Sequence, residues 1–505
     1  MTDLPLEKGR ELVGRILSKS IIEDDYGLLA EVVESHMFLC TALKEKNATI
    51  RKLQHMLFGA PTEKTSTIIP ELKRMTKPGK EEPKGHGRNG ASFYTGARKE
   101  TLSHHSLKRG DLCPECQKGK IYPTESGAAV RVTGSAPIAA TAFELEKLRC
   151  NLCGKIFSPK IDEEKYDPTS GAMIALMRYG AGVPFERLEH LQGALGVPLP
   201  ASTQWDVVEK AAAPAHPAYK ELVRQAAQGE IIHVDDTTMK ILANANEGER
   251  KGTFTTGMLS LVGDKKIALF FTGRKHAGEN LAGLLAERRE GLGLPIQMCD
   301  ALSRNEPKEF ATVLANCLAH ARRNFVDVAE SFPGECRHAI SLLAKVYEHD
   351  AKTKKEKMTA QERLEHHRVN SGPLMEDLRQ WMNAQLDEKR VEPNSGLGKA
   401  FTYMLKHWEP LTLFLRVPGA PIDNNIAERS LKMAIRHRRN SLFYRTLHGA
   451  YIGDLFMSII HTCRMSRVNP FDYLVALQRH SHKVFENPKN WLPWNYAAAI
   501  AALPP

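Results

Sequence analysis

The sequence has few of the features that mark membrane, secreted and fibrous proteins. No apolar run approaches the roughly 18 residues that a membrane span needs. The first residues, from Met1 to Pro5, are not a basic segment followed by an apolar one, so we do not expect a secretory signal. Nine cysteines in 505 residues do not make a disulfide scaffold. We therefore expect a reduced, cytoplasmic protein that does not use a membrane.

Composition is ordinary for a globular protein. Hydrophobic residues make up 42% of the chain and charged residues 26%, which excludes a collagen-like or wholly disordered protein. The length predicts about three domains. The formal net charge of +11 is compatible with nucleic acid binding but does not establish it, because the position of the charges matters more than their sum.

More than half of that charge lies in residues 73–109, where ten Lys or Arg face three Glu. Five glycines are interspersed, and the stretch from Lys84 to Gly90 is unsuited to regular structure. A solvated linker is one interpretation. We favour a basic arm that lies along phosphates, with Lys84 and Arg88 as candidate DNA contacts.

A heptad pattern over residues 26–58 predicts one long helix. Seven of the nine a and d positions are apolar, over about four heptads, and Gly59 and Pro61 end the pattern. The alternative is an amphipathic helix that packs on its own chain. We favour a coiled coil that makes the protein a homo-oligomer.

Two Cys-x-x-Cys pairs predict a metal site. Cys113 and Cys116 form the first pair, and Cys150 and Cys153 form the second. In a reduced protein, four such thiolates suit a structural Zn²⁺ ion in a zinc ribbon, with hairpin strands expected at 130–132 and 143–148. A redox pair or four unrelated thiols are the alternatives.

Residues 168–228 are predicted to be helical. One helix runs from Phe185 to Leu195, a Gly/Pro turn follows, and Ser202 is a candidate N-cap for a second helix. This is a helix-turn-helix pattern. Because neither helix is strongly basic, two packed helices without a DNA role fit equally well.

The period changes near residue 230, where strands are predicted. Ile231–Asp235 is a buried strand that ends on a carboxylate, and the strands 253–262 and 266–271 follow. A helix over 277–289 and a strand over 295–300 come next, and 306–330 is predicted to be helical. This order is that of an RNase H-like α/β core. Residues 335–415 are charge-rich and helical, and another helix begins near Asp423.

Asp235 and Asp300 end two strands that are neighbours in such a sheet, and Glu428 on the later helix is the candidate third acid. Clustered carboxylates with open water positions suit Mg²⁺ or Mn²⁺, and two such ions can support phosphoryl displacement. Other interpretations stay open here: strand alternation favours Asp235 over Asp236 without excluding the latter, Asp300 could cap a helix, and Glu428 stands at a capping-box spacing.

Other polar residues surround these candidates. Cys317 and His320 are three residues apart, which we interpret as a core thiol beside a buried histidine rather than as a metal site. Several arginines are candidate phosphate contacts, with solvated charge as the alternative. They are Arg322, Arg323, Arg429, Arg436, Arg438 and Arg439.

The chain resembles the transposases of the insertion-sequence 66 family (TnpC type) almost from end to end. Each motif is weak singly, and their joint order is specific. The matching segments are Leu57–Lys64, His86–Ala91, the two Cys-x-x-Cys pairs, His233–Thr237, Cys299–Ala301 with Asn305, Cys317–Phe325, Asp423–Arg429 and Trp491–Trp494. At Asp236 the family usually has Glu.

This resemblance implies a DDE transposase in which Asp235, Asp300 and Glu428 bind metal and catalyse cleavage and strand transfer. It also implies DNA partners (the transposon ends and the target), companion proteins of the same element and a place at the bacterial nucleoid. A structure-specific nuclease and a zinc-containing DNA-binding scaffold are the alternatives.

The predicted architecture is multidomain α/β. Its expected segments are a coiled-coil helix (20–60), a basic arm (61–110), a zinc ribbon (111–160), a helical module (165–228), an RNase H-like core (229–330 and 420–465), a helical insertion (331–419) and a helical tail (466–505).

Overall fold

The structure, a computed structural model, describes the chain in several separate ranges. The described residues are 6–18, 20–23, 25–30, 32, 94, 97, 101, 104, 106–124, 129–132, 135–153, 155–160, 164–244 and 252–503. By its contacts the chain divides into two compact units, Met1–Thr76 and Lys77–Pro505. Most of the predicted coiled coil, together with Lys84 and Arg88, lies outside the described residues.

The described part of the first unit contains helix α1, Leu6–Leu17. Arg15 Nη2 lies 2.8 Å from Asp25 Oδ1, and this guanidinium holds the pKa of Asp25 below its usual value. The ion pair joins the end of α1 to the segment that follows it.

The second unit begins with short hairpins that carry the four predicted zinc ligands. Strand β1 (Leu148–Arg149) pairs antiparallel with β2 (Ile156–Phe157), so that the second Cys-x-x-Cys pair sits in the turn between them. The strands expected at 130–132 and 143–147 are wrong, because the described residues there are not in strands. Among the described residues of this segment, strand pairing is confined to the few that flank each Cys-x-x-Cys turn: β1 with β2, and the antiparallel bridge between Leu112 and Lys120.

A five-stranded mixed sheet forms the centre of the second unit. Its strands are β3 (Ile231–Met239), β4 (Thr253–Val262), β5 (Lys265–Gly273), β6 (Ile296–Cys299) and β7 (Val313–Asn316). The spatial order is β5-β4-β3-β6-β7, with β3, β4 and β5 antiparallel and β3, β6 and β7 parallel. The predictions for the first four strands are confirmed. The uninterrupted helix expected over 306–330 is wrong, since part of it is the parallel strand β7.

Helices make up most of the described residues around the sheet. Before the sheet lie α2 (Pro168–Ala175), a π-helical turn (Leu176–Ala181), α3 (Phe185–Ala194) and α4 (Ala201–Ala227); α5 (Ala277–Leu285) lies between β5 and β6, and α6 (Leu318–Val328) follows β7. The helices of 333–411 are α7 (Pro333–Lys355), α8 (Ala360–Asn370), α9 (Gly372–Asp387), α10 (Gly396–Lys406) and α11 (Trp408–Leu411). The last group is α12 (Asn425–Ser441), α13 (Leu447–Met465), α14 (Pro470–Arg479), α15 (Ser481–Glu486) and α16 (Tyr496–Ala501).

Helix α4 is far longer than its sequence suggests. It continues through Pro214 and Pro217, and its buried residues belong to the same hydrophobic core as the sheet and α13. Pro200 occupies the N-cap position without a side-chain hydrogen bond, so the N-cap expected at Ser202 is wrong. The burial of α4 shows that one side of this helix is part of the central core.

The outer edge of the sheet is covered by a polar stripe on α13. Asp454, Ser458 and Thr462 are spaced four residues apart, and each accepts a hydrogen bond from an outward-facing backbone N–H of β5. Those donors belong to Thr272, Phe270 and Ala268. Because an unpaired edge strand invites further strand pairing, the stripe satisfies the edge and closes it.

The helical prediction for residues 335–415, between the sheet and α12, is confirmed by α7 to α11.

Among the described residues, none of the helices combines the length and the apolar character required to cross a membrane.

Candidate active site

Two adjacent aspartates of β3 have opposite environments. The Asp236 carboxylate accepts hydrogen bonds from Thr256 Oγ1 (2.6 Å) and from the backbone N–H of Ala277 at the start of α5 (3.0 Å). The backbone N–H of Asp236 donates to Asp235 Oδ1 (2.8 Å). Since successive side chains alternate across a strand, Asp235 projects to the other face. The structure thus separates a carboxylate that caps a helix from one that faces the acid cluster.

Asp300 follows the neighbouring strand β6. In the parallel pairing of β3 with β6, His233 lies opposite Met298, and the same offset brings Asp300 level with Asp235. The side chain of Asp300 is 19% exposed. The helix-cap alternative is not observed, because Leu302 holds the N-cap position of the short helical turn that follows.

Glu428 reaches the same place from the first turn of α12. Helix α12 packs closely on the sheet beside Asp235 because Gly257, the partner of Asp235 on β4, leaves room for Leu431. A Cβ atom at Gly257 would lie 2.7 Å from Leu431 Cδ2. The capping-box alternative for Glu428 is not observed, since Asn424 is the N-cap and makes no side-chain cap hydrogen bond.

The three acids influence one another electrostatically. Burial, followed by the negative charges of Asp300 and Glu428, raises the pKa of Asp235 to about 7. Glu428 Oε1 is buried and has no hydrogen-bond partner among the described residues. Oxygen donors of this kind, held close together at the cost of repulsion, fit a hard divalent cation.

His320 lies among the acids and is partly exposed, which corrects its interpretation as a buried core histidine, whereas Cys317 is the buried thiol that was expected. His320 Nδ1 is 3.0 Å from Asp300 Oδ1 and 3.8 Å from Glu428 Oε1. Burial works against its charge, but Asp300 and Cys317 outweigh that effect and raise the pKa of His320 to about 10. The ligand atoms of Cys317, His320 and Glu428 all lie within 4.8 Å of one another. The Cys-x-x-His spacing directly after a buried strand was the available signal for this contact.

Asn424 is the site residue whose role the sequence concealed. The sequence places Asn424, Asn425, Glu428 and Lys432 on one helical face, but Asn424 is fully buried whereas Asn425 and Lys432 are exposed. Asn424 Oδ1 lies 3.1 Å from Nδ1 of His233, whose pKa burial lowers to about 4. In the sequence, an asparagine directly before a helix is typical of an exposed N-cap. The burial of the Asn424 side chain therefore could not be predicted.

The described candidate DNA contacts fall into three groups. Arg429, Arg436 and Arg439 are exposed and, together with the exposed Lys432, recur at helical spacing along one side of α12. Arg438 instead donates hydrogen bonds to Thr237 Oγ1 (3.0 Å) and to the carbonyl of Thr238 (2.7 Å) at the end of β3. Arg322 and Arg323 are half-buried on α6.

The predicted zinc ligands sit in two tight knuckles. Cys113 N–H donates to the carbonyl of Gly119 (2.7 Å), and Cys150 N–H donates to that of Lys155 (2.9 Å). The backbone amides of Lys118 and Gly119 hold the pKa of Cys116 below its usual value, as suits a metal-binding thiolate. Although all four cysteines are described, no three of their sulphur atoms lie within 4.8 Å of one another.

Comparison with curated proteins finds relatives in Sinorhizobium fredii (strain NBRC 101917 / NGR234). The chain is 28% identical to the uncharacterized protein y4hP over 363 residues, which is 66% of this chain and 63% of the relative. It is 33% identical to the uncharacterized protein y4jD over 190 residues, or 37% of this chain and 36% of the relative. The chain thus matches less than two thirds of the length of either relative.

A family model described as "Transposase IS66 family" matches residues 165–452. The match covers more than half of the chain and includes β3, β6, α6 and the first turn of α12, from which the clustered acids and His320 come. The chain therefore belongs to the IS66 transposase family.

Proposed function

We propose that this chain is a DNA transposase that binds the terminal inverted repeats of an insertion sequence, cleaves there and joins the freed 3′ ends to target DNA. The observation that carries the proposal is the convergence of Asp235, Asp300 and Glu428 from three separate elements. Their order along the chain and the strand order of the sheet support an RNase H-like DDE core.

Asp235, Asp300 and Glu428 are the residues that would hold Mg²⁺ or Mn²⁺. When bound in a two-metal arrangement, the ions supply activation of the attacking water or 3′-OH and stabilisation of the leaving oxygen. The protein's own contribution is to hold three carboxylates together despite their repulsion. His320 contributes a positive charge beside Asp300 and Glu428.

The exposed basic stripe on α12, which consists of Arg429, Lys432, Arg436 and Arg439, supports a path for DNA. It begins one residue after Glu428 and extends for about 15 Å at the rise of an α-helix. A phosphate backbone along this stripe would pass directly beside the acids. Lys84, Arg88, Arg322 and Arg323 are further candidate contacts.

The remaining parts of the proposal concern assembly. Cys113, Cys116, Cys150 and Cys153 would bind a structural Zn²⁺ in the segment that helps to recognise the transposon ends. Oligomerisation through residues 20–60, companion proteins of the same element and a cytoplasmic place at the nucleoid complete it.

The decisive experiment replaces one acid and uses a distant acid as its control. Asp300→Ala should abolish cleavage of DNA that carries the element's ends, with Mg²⁺ or Mn²⁺ present. Asp264→Ala, at the exposed turn between β4 and β5, should act like the unmodified protein. Full activity of Asp300→Ala would refute the assignment.

A second assay separates a transposase from a nuclease with the same core. It supplies a pre-cleaved end with a free 3′-OH together with a target plasmid. Joined product supports strand transfer, whereas cleavage of intact ends without joining would establish the nuclease alternative.

A further inference from the structure

Asn424 is fully buried at the N-cap position of α12, where the polypeptide returns from the long helical segment to the sheet. Both polar atoms of its side chain and both polar groups of its backbone have partners within the site. Loss of any one of these hydrogen bonds would leave a buried polar group unsatisfied. The arrangement therefore indicates that Asn424 holds the surrounding elements in a defined geometry.

The side chain of Asn424 joins α12 to β3. Its Nδ2 donates to the carbonyl of Val234 (2.9 Å), the residue directly before Asp235. Its Oδ1 lies 3.1 Å from His233 Nδ1, which is the donor because Nδ2 is the amide's donating atom. The two bonds fix the start of α12 against the strand that carries the first acid.

The backbone of Asn424 connects the start of α12 to the segments that hold the other two acids, Asp300 and Glu428. Its N–H donates to Cys317 Sγ (3.2 Å), directly before the helix whose His320 contacts Asp300. Its carbonyl accepts the N–H of Glu428 (3.1 Å). One residue therefore contacts the supports of Asp235, Asp300 and Glu428 together.

Asparagine suits this position for a chemical reason. The side chain must donate to a carbonyl and accept from an imidazole across a short distance. Aspartate lacks the donor, alanine and leucine lack both groups, and glutamine is longer by one methylene.

We propose that Asn424 is a positioning residue that fixes Glu428 relative to Asp235 and Asp300, so that the three carboxylates form one cation site before DNA arrives. The inference rests on the proposed metal-dependent function. It goes beyond that function because it assigns the assembly of the site to a residue that touches neither metal nor DNA.

The test measures Mn²⁺ affinity of the full-length protein without DNA, together with its thermal midpoint. Asn424→Ala and Asn424→Asp should each weaken Mn²⁺ binding about 10- to 100-fold, the range found when supports of metal ligands are removed. Gln204→Ala is the matched control, because Gln204 is a fully buried amide that donates to the carbonyls of Phe185 and Leu199 away from the acids. It should lower the thermal midpoint and leave Mn²⁺ affinity unchanged.

A second pair of variants keeps the test open if Asn424→Ala does not fold. His233→Gln retains a donor for Asn424 and should keep most of the Mn²⁺ affinity, whereas His233→Leu should lose it. Folded Asn424→Ala protein that binds Mn²⁺ within twofold of the unmodified protein would overturn the positioning role, as would equal affinities of the two His233 variants.

Asp300→Ala in the same assay separates a failure of the proposed metal site from a failure of the positioning role of Asn424. If Asp300→Ala abolishes Mn²⁺ binding and Asn424→Ala does not affect it, the positioning role fails and the metal site stands. If the unmodified protein binds no Mn²⁺, the metal-dependent function fails and the positioning role fails with it.

Discussion

Adjacent aspartates of one strand have different environments, one satisfied by hydrogen bonds and one beside like charges. Asp236 is satisfied by Thr256 and by the N-terminus of α5, whereas Asp235 is buried beside two other acids. A carboxylate at a helix N-terminus is stabilising, and a carboxylate held beside like charges is destabilising until a cation offsets them. Asp235 and Asp236 are therefore adjacent acids in two different environments, and the proposed metal-binding role falls to Asp235 alone.

We expect Asp236→Asn to lower the stability of the metal-free protein by about 1–2 kcal/mol, because it weakens two hydrogen bonds and removes the charge at the start of α5. Asp235→Asn should not lower it, since that change relieves repulsion. Urea denaturation in the presence of a chelator measures both. Equal losses of stability in the two variants would contradict the division of roles.

The sequence predicted which acids come together but not what surrounds them. Strand alternation sufficed to choose Asp235, and the position after a buried strand sufficed for Asp300. The contacts of His320 and Asn424 depend on pairings across more than a hundred residues, and no local pattern encodes them. Local signals predict a residue's secondary structure far better than its partner.

At the scale of elements, the polar stripe of α13 that covers β5 carries a buried acid. Asp454 accepts from the backbone N–H and Oγ1 of Thr272, both at 2.6 Å. Burial raises its pKa to about 7, and the two hydrogen bonds from Thr272 oppose that rise without cancelling it. An acid whose pKa is higher in the folded than in the unfolded state costs stability as it ionises.

The stability of the protein should therefore fall, through Asp454, as the pH rises from about 4 to about 7. Asp454→Asn removes this ionisation, so the difference in thermal midpoint between the variant and the unmodified protein should shift in the variant's favour across that interval. Thermal melts between pH 4 and pH 8 measure it. Asp264→Ala, an exposed acid, should show no such trend, and a constant difference for Asp454→Asn would contradict the prediction.

Helix α12 presents one side to the sheet and another to solvent. Arg438 is hydrogen bonded to the end of β3, while Arg439 next to it is exposed within the basic stripe. Neighbouring arginines of equal charge thus have different roles, and the sequence alone gave them the same one.

Arg439→Ala should weaken binding to transposon-end DNA and reduce the slope of log affinity against log salt by about one, as expected for the loss of one phosphate contact. Its thermal midpoint should not change. Arg438→Ala should lower the midpoint, because the end of β3 loses its hydrogen bonds. Binding titrations at several salt concentrations, with melts of both variants, test this pair, and an unchanged salt slope for Arg439→Ala would exclude the contact.

Elements with a clear period were predicted well, and elements set by their neighbours were not. Strands β3 to β6 follow from buried apolar runs. Strand β7 is four residues long and merges in the sequence with the helix after it, so the pattern predicted one helix. Helix α4 runs through two prolines because packing against the sheet outweighs their low helix propensity.

At the scale of the whole molecule, the segment with the four cysteines differs from the rest of its unit. Its apolar side chains are mostly exposed, with Val132 at 77% and Leu152 at 92%, whereas residues between 172 and 299 and between 431 and 492 supply one buried core. A segment without a hydrophobic core of its own depends on another source of stability, and a structural metal is a common one.

We expect one Zn²⁺ per chain, measured by atomic emission on protein purified without chelator. Removal of Zn²⁺ should make residues 106–160 susceptible to limited proteolysis without changing the melting of the α/β core. Cys153→Ser should reproduce this effect, and Cys463→Ser, a buried thiol of α13, is the control that retains the metal. Metal-free protein with an unchanged proteolytic pattern would rule out the zinc site.

The distance along the chain between the second and third acids determines when the acid cluster can form. Asp300 precedes the five helices of 333–411, and Glu428 follows them. A ribosome that has translated the first 400 residues has produced two of the three acids and all five strands of the sheet, but not the helix that completes the acid cluster. Under the proposed function, cleavage of DNA would therefore be withheld from the growing chain and from any fragment that stops short of α12, so that damage by an unfinished enzyme is limited by the order of its own synthesis.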